Sequence, residues 1–294
     1  MKYVLVVNPV SGKGKAFHAA TKLEDILKQR GFEVRRFDTT PKPADLKAFC
    51  TTISAQERVV VFGGDGTLNL FFNQASQFEA VSFFGVGTAN VVSLEWGLPQ
   101  EIETFANMLL EAKPMPIRLG VINDQHKFVM MYSSGIDSHI LSNVSQSVKN
   151  KVGKLAFFGP ALKALPSYKH PRMRVILDGQ KSLHASWVLV SRFKRYGGAT
   201  IMAPGASPAN EDLQVVLFHG SGIRQTMAFA LSAARGAIQK APRVTIARAH
   251  EVQVSCENAC PPCQVDGDLY PQKVQKISVE QTLVNFLVPA GFQP

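Results

Sequence analysis

Apolar and polar positions in the first part of the chain alternate between two textures. Tyr3–Val7 (YVLVV) is a short apolar run closed by Asn8-Pro9. Phe17, Ala20, Leu23, Ile26 and Leu27 then fall at helical spacing, and Gly31 follows as a stop. FEVRRF predicts the next strand, PADLKAFCTTIS a helix, RVVVF a strand, LNLFFNQA a short helix and VSFFGV a strand. NVVSLEWGL and EIETFANMLLEA close the pattern as helices. Strands alternating with helices predict an α/β domain around a parallel sheet covered on both faces.

From about Ile117 the texture changes. IRLGVINDQHKFVMMYSSG has the pattern of a hairpin turning at Asn123-Asp124. RMRVILDGQKSLHASWVLVSRF has the pattern of another, turning at Asp178-Gly179. LQVVLF, RVTIARA, EVQVS and KISVEQ follow as strands, and helical stretches are expected around 137–165 and 223–239. This half predicts a mainly antiparallel domain, a sandwich or barrel-like. The expected division is 1–118 and 119–281, with 282–294 returning to the first domain.

The chain has 294 residues, 46% of them hydrophobic, enough for sizeable cores. No apolar run approaches the roughly 20 residues of a membrane span. The run after Lys2 is too short for a signal-peptide core, so a cytoplasmic location is expected. The net charge of +10 favours an anionic partner: nucleic acid, an acidic membrane face or a phosphorylated ligand. The basic-aromatic interleaving of a nucleic-acid binder is missing, so no nucleic-acid partner is expected. Four cysteines are too few for a disulfide framework. Cys256, Cys260 and Cys263 share the spacing CxxxCxxC of some cluster-binding enzymes, but they lie in a predicted hairpin loop with Pro261-Pro262 and are read as incidental.

Three predicted strands end in glycine-rich turns: Ser11-Gly12-Lys13-Gly14, Gly63 to Thr67, and Gly85 to Asn90. Ligands of open α/β sheets bind beyond the carboxyl ends of the strands, so these turns form one candidate site. Glycine admits close approach of backbone amides, and successive N–H groups at a helix start make an anion nest. Asp65 inside such a nest would repel phosphate unless a cation such as Mg²⁺ bridges them. The alternative is a tight turn in which Asp65 caps a helix. A P-loop is excluded by the spacing of Gly12-Lys13-Gly14-Lys15, and GASPA at 205–209 lacks the second glycine of a nucleophile elbow.

NPVSGKGKA, GGDGTLN, GVGTAN followed by WGLP, SSGIDS, YGGATIMAPGA and QVDGD occur in this order. In these motifs the chain resembles the diacylglycerol kinase catalytic-domain family, which includes bacterial lipid kinases and sphingosine kinases, over nearly its whole length. The resemblance implies a Rossmann-like N-terminal domain of the NAD kinase type and an antiparallel β-sandwich C-terminal domain. It implies ATP and Mg²⁺ as cofactors and phosphoryl transfer to a hydroxyl of a diacylglycerol-like or sphingoid lipid. By the same similarity, Asn8, Ser11, Gly12 and Lys13 line the triphosphate and Thr40 contacts the nucleotide. Gly63, Gly64, Asp65, Gly66 and Thr67 wrap the phosphates, with Asp65 on Mg²⁺ directly or through water. Gly87, Thr88 and Asn90 complete the wall. Asp266 matches the general base, with Asp268 beside it where the family more often has Glu, and Asp137 matches a further aspartate taken as a second metal ligand.

The chain departs from the family at Leu70, where Glu is usual, at Val91, where Asp is frequent, and in PANEDL at 208–213, where an acidic pair is frequent. These departures put a structural Mg²⁺ of the second domain in doubt, with Glu211 and Asp212 as substitutes in a shifted register. The implied partners are a lipid substrate and an acidic membrane surface bound transiently, with KVGKLAFFGPALKALPSY at 151–168 as a contact; a homodimer is compatible with the resemblance. Two other readings stay open: a nucleotide- or lipid-binding protein with little turnover, and an NAD kinase-like enzyme acting on a soluble acceptor.

Overall fold

A computed structural model describes residues 1–143, 168, 170–256, 260–271 and 276–292. The chain divides into two compact units, Met1–Arg118 with Thr282–Pro294, and Leu119–Gln281.

The first unit runs β1 (Lys2–Val7), α1 (Lys15–Gln29), β2 (Glu33–Asp38), α2 (Pro43–Cys50), β3 (Glu57–Gly63), α3 (Asp65–Gln74), β4 (Ala80–Gly85), α4 (Val91–Trp96) and α5 (Ile102–Glu111). Its strands lie in the order β2-β1-β3-β4, all parallel. Tyr3 to Val7 and Val59 to Phe62 have no accessible surface. That is why these strands are unbroken apolar runs: both faces of a parallel sheet are covered. Helix α1 buries Ala16, Ala20, Leu23 and Leu27, one face at helical spacing. Gly31, at φ 83°, ends it in the left-handed region that favours glycine.

A fifth strand closes this sheet from the other end of the sequence. Strand β5 (Lys113–Ile122) leaves the first unit, and a long final strand (Lys276–Val288) re-enters it. Phe286 of that strand pairs in parallel with Val81, the Ser82 hydroxyl donates to Leu287 O at 3.2 Å, and the Trp96 ring lies 3.8 Å from that of Phe286.

The second unit holds β6 (His126–Phe128), β7 (Met131–Ser134), α6 (Ile136–Ser142), β8 (Met173–Leu177), β9 (Lys181–Ala185), β10 (Trp187–Ser191), β11 (Arg195–Tyr196), β12 (Thr200–Ile201), β13 (Leu213–Phe218), α7 (Ile223–Ala234), β14 (Val244–Ala249), β15 (Glu251–Cys256), β16 (Cys263–Val265), β17 (Asp268–Tyr270) and the start of β18 (Lys276–Val288). One sheet runs β18-β15-β8-β9, the other β14-β13-β10-β7-β16-β17, and neighbouring strands in both are antiparallel. Val175, Leu177, Val252 and Val254 of the first sheet share one core with Val188, Val190, Val215 and Leu217 of the second. This is a sandwich, built from alternating inward positions. The hairpins pair Ile122 with His126 and Leu177 with Lys181, and the first two loop residues of each, Asn123-Asp124 and Asp178-Gly179, have positive φ. The expected helix over 137–165 begins as α6; its continuation lies outside the described residues, as do all of 151–168 but Tyr168.

Candidate active site

In the first unit the turns after β1, β3 and β4 meet at one edge. The Asn8 N–H donates to Phe62 O at 2.9 Å, its side-chain amide to the Thr67 hydroxyl at 3.3 Å, and the Val86 N–H to Gly63 O at 2.8 Å. Glycine is required where these backbones touch. A Cβ on Gly12 would lie 2.6 Å from Val86 O, and one on Gly87 would lie 2.7 Å from the Gly64 Cα. A Cβ on Gly63 would strike the Thr67 side chain, which folds back over it at 2.5 Å. The strand stops in glycine because the next helical turn closes on top of it. Helices α1 and α3 both start at glycine, Gly14 and Gly64, with no side-chain cap. In α1 the Lys15 and Ala16 N–H groups donate to Gly12 O at 3.4 Å and Ser11 O at 3.3 Å, and in α3 the Thr67 N–H donates to Gly64 O at 2.9 Å. The Asn90 Oδ1 is buried there with no hydrogen-bond partner among the described residues. Ser11 is half-buried; Lys13, Gly66 and Thr88 are exposed. Thr40, after β2, lies beyond the same strand ends and donates to Asp45 at 2.6 Å.

Asp65 is the latch of this edge. Its two oxygens accept the backbone N–H groups of Val91 at 3.0 Å and Val92 at 3.2 Å. It caps α4 across 26 residues of sequence rather than its own helix. Burial raises its pKa, and the amides of Val91, Val92 and Asn90 oppose that shift. Of the two alternatives for Asp65, a cation site in an anion nest and a helix cap, the geometry shows a cap, on α4 rather than on the helix that follows; the carboxylate locks the GVGTAN turn against the GGDGT turn.

In the second unit a different cluster forms. The Asp266 carboxylate is buried and accepts three successive main-chain N–H groups, Val129 at 2.7 Å and Met130 and Met131 at 2.9 Å. Its backbone sits at φ 50°, which an Asp-Gly turn tolerates. Asp268 is exposed at the start of β17. Asp137 accepts from the Ser133 hydroxyl at 2.5 Å, from the Ser138 N–H at 2.7 Å and from the Tyr196 hydroxyl. Gln264 ties the two aspartates together: its amide donates to Ser133 Oγ at 2.7 Å and its oxygen accepts the Gly267 N–H at 2.6 Å. SSGIDS, YGGAT and QVDGD therefore converge on one hydrogen-bond network. Burial and the Asp137 charge hold the Tyr196 phenol well above its ordinary pKa, so it stays a donor.

Known proteins match both halves. Residues 2–122 match the diacylglycerol kinase catalytic domain, and residues 130–288 match the YegS C-terminal NAD kinase beta sandwich-like domain. The chain belongs to the diacylglycerol kinase catalytic-domain family. A diacylglycerol kinase of Bacillus subtilis is 25% identical over 266 residues, covering 85% of this chain and 84% of that one. One from Staphylococcus carnosus is 23% identical over 275 residues, covering 90% and 87%. The solved structure of a diacylglycerol kinase from Bacillus anthracis aligns with a TM-score of 0.72 at 17% identity, over 99% of this chain and 98% of that one. This likeness shows that the fold is the family's.

A kinase of this family implies Mg²⁺, and the two expected metal positions differ in fit. At the glycine turns, Mg²⁺ held mainly by phosphates needs one or two carboxylates and several waters. Asp65 fits that role through water, because direct ligation competes with the Val91 and Val92 amides. In the second unit the residues do not fit. Asp137 already accepts protein donors on both oxygens, and Asp212 pairs with Arg248 at 3.1 Å. The loop 208–212 instead surrounds the guanidinium of Arg192, which has no accessible surface. That group donates to the carbonyls of Pro208 at 2.8 Å, Asn210 at 2.7 Å and Asp212. A fixed organic cation occupies the loop, and Glu211 is exposed rather than a ligand.

The cysteine reading needs correction. Cys256 and Cys260 form a disulfide, while Cys263 is buried in β16 with its thiol directed to Tyr270 O. A low total count argues against a disulfide framework but not against one local bridge. Sequence reasoning gave no role to Ser133, Arg192, Tyr196 or Gln264. For Ser133 and Gln264 a signal was present as polar residues inside apolar strands, Gln264 standing between Cys263 and Val265; Arg192 and Tyr196 carry none.

Proposed function

We propose that this chain is an ATP-dependent lipid kinase, transferring the γ-phosphoryl group to a hydroxyl of a diacylglycerol-like or sphingoid lipid. The observation that carries the reading is the backbone-to-backbone meeting of three glycine turns beside two helix starts without side-chain caps. Glycine turns of this kind let a chain of phosphates approach the backbone, and the exposed Lys13 beside them supplies positive charge. In this reading Asn8, Ser11, Gly12 and Lys13 hold the triphosphate and Thr40 the nucleoside side. Gly63 to Thr67, Gly87, Thr88 and Asn90 shape the cradle. Mg²⁺, when bound, neutralises charge on the transferring group. Phosphoryl transfer depends mainly on positioning, so rigid turns held by Asp65 suit it. Asp266 orients the acceptor hydroxyl and takes its proton, with Asp268 beside it; three amides fix the direction of its carboxylate. The lipid class of the acceptor comes from the relatives' names.

One observation favours a second reading, a nucleotide- and lipid-binding protein with little turnover: the Asp266 oxygens are already engaged by protein amides. Transfer of label from γ-labelled Mg-ATP into the organic phase of a mixed-lipid extract separates the two. Wild type labels lipid. Asp65→Ala loses nucleotide binding, and Asp266→Asn keeps it while turnover falls on the order of a hundred- to ten-thousand-fold. Nucleotide binding by wild type with no labelled lipid would sink the kinase reading. A labelled water-soluble product would move the acceptor to a soluble nucleotide.

A further inference from the structure

Helix α7 has two apolar faces, and among the described residues the second unit covers only one. Thr226, Phe229 and Ala233 are buried. Phe229 anchors the helix, stacked on Phe218 at 4.5 Å and tilted against Trp187 at 5.2 Å. On the other side Ile223, Met227 and Leu231 are 49%, 52% and 50% exposed. They are spaced four apart, so they form one stripe along the helix. Ala228, Ala230 and Ala234 are exposed as well. A helix with apolar residues on two faces ordinarily has both covered.

The charge around the stripe indicates what encloses it. No Asp or Glu occurs from Leu213 to His250, whereas Arg224, Arg235, Lys240, Arg243 and Arg248 do. Arg248 pairs with Asp212. The other four are exposed, and none forms an ion pair among the described residues. Arg224 and Arg235 bracket the stripe at the two ends of α7, and Lys240 ends the 3-10 turn Ile238–Lys240 that packs against it. A second copy brought to this face would oppose like charge with like. A bilayer containing anionic lipid supplies apolar depth and negative charge together.

We propose that the Ile223–Met227–Leu231 face of α7 docks in the plane of an anionic lipid bilayer. The three apolar side chains enter the acyl boundary, and Arg224, Arg235, Lys240 and Arg243 lie at headgroup depth. The docking argument stands on α7 alone; its purpose, bringing the chain to lipid substrate, rests on the kinase reading.

The test is co-sedimentation of the full chain with phosphatidylcholine vesicles, with and without phosphatidylglycerol. Turnover on a dispersed short-chain diacylglycerol is measured in parallel. Wild type should pellet only with anionic vesicles and be released by salt. Met227→Glu with Leu231→Glu should abolish pelleting, and Arg224→Glu with Arg235→Glu should weaken it on the order of tenfold or more. Both double variants should keep the wild-type melting temperature and turnover on the dispersed lipid. Equal pelleting of wild type and Met227→Glu/Leu231→Glu overturns the proposal. So does binding to neutral vesicles alone, or a dimer in solution that the stripe mutations dissolve. Pelleting without any turnover leaves the docking intact and removes the kinase reading; turnover without pelleting does the reverse.

Discussion

An arginine with no accessible surface has to bring its solvation with it, and Arg192 does so with three main-chain carbonyls of the 208–212 loop. Guanidinium suits this because its donors are planar, numerous and always charged. Arg192→Met should destabilise the chain by about 3–5 kcal/mol, because three carbonyls lose a charged donor together. Arg192→Lys should recover part of that. The melting temperature of nucleotide-free wild type should be the same in EDTA and in Mg²⁺. A stabilisation by Mg²⁺ abolished in Asp212→Asn would show instead that the loop holds a metal. Single positions were read from the sequence with uneven success, for a physical reason. Asp65 stands out because a carboxylate between glycines is conspicuous; Asp266, before a single glycine, reads as a turn and is singled out only by the family resemblance. Their partners, the amides of Val91, Val92 and Val129 to Met131, carry no side-chain signature at all. Arg192 looks like any other basic residue until its burial is known.

Strands and helices were easier to infer, because periodicity follows from which faces are covered. Strands β1 and β3 are near-continuous apolar runs, whereas β8 and β15 alternate. Turn residues located the hairpins at Asn123-Asp124 and Asp178-Gly179. The sequence could suggest that the three glycine turns share an edge but not that they touch. That contact is testable through Gly87, whose added Cβ would meet a backbone atom rather than a yielding side chain. Gly87→Ala should leave the chain folded, force the two turns apart and lower turnover on the order of a hundredfold, the size expected of a misplacement near 1 Å. Calorimetric titration with nucleotide would register the loss directly. Unchanged affinity would show that the Gly64–Gly87 contact has no part in binding.

Taken over the whole chain, two buried thiols provide a probe of integrity in both units. Burial pushes Cys50, in the first unit, and Cys263, in the second, up to about 11 from an ordinary 9.0. The folded state thus favours the neutral thiol. The stability this contributes is full below pH 9.0 and is lost as pH rises through about 11. Urea midpoints should fall across that window, and less steeply in Cys263→Ala. At neutral pH a thiol reagent should find neither cysteine until the chain is unfolded. Early reaction of one would identify the unit that opens first.

The strand that ends at Val288 adds a constraint on how the molecule is made. Its partner on β4 is separated from it by 205 residues, as the Ser82–Leu287 hydrogen bond shows. A ribosome therefore releases β1 to β4 of the first sheet, then synthesises β5 to β17 before that strand appears. Throughout that interval β4 presents an open apolar edge, the kind of surface on which nascent chains pair with one another. The unit that begins synthesis is the one completed later, and overexpression at high temperature should fail first at that edge.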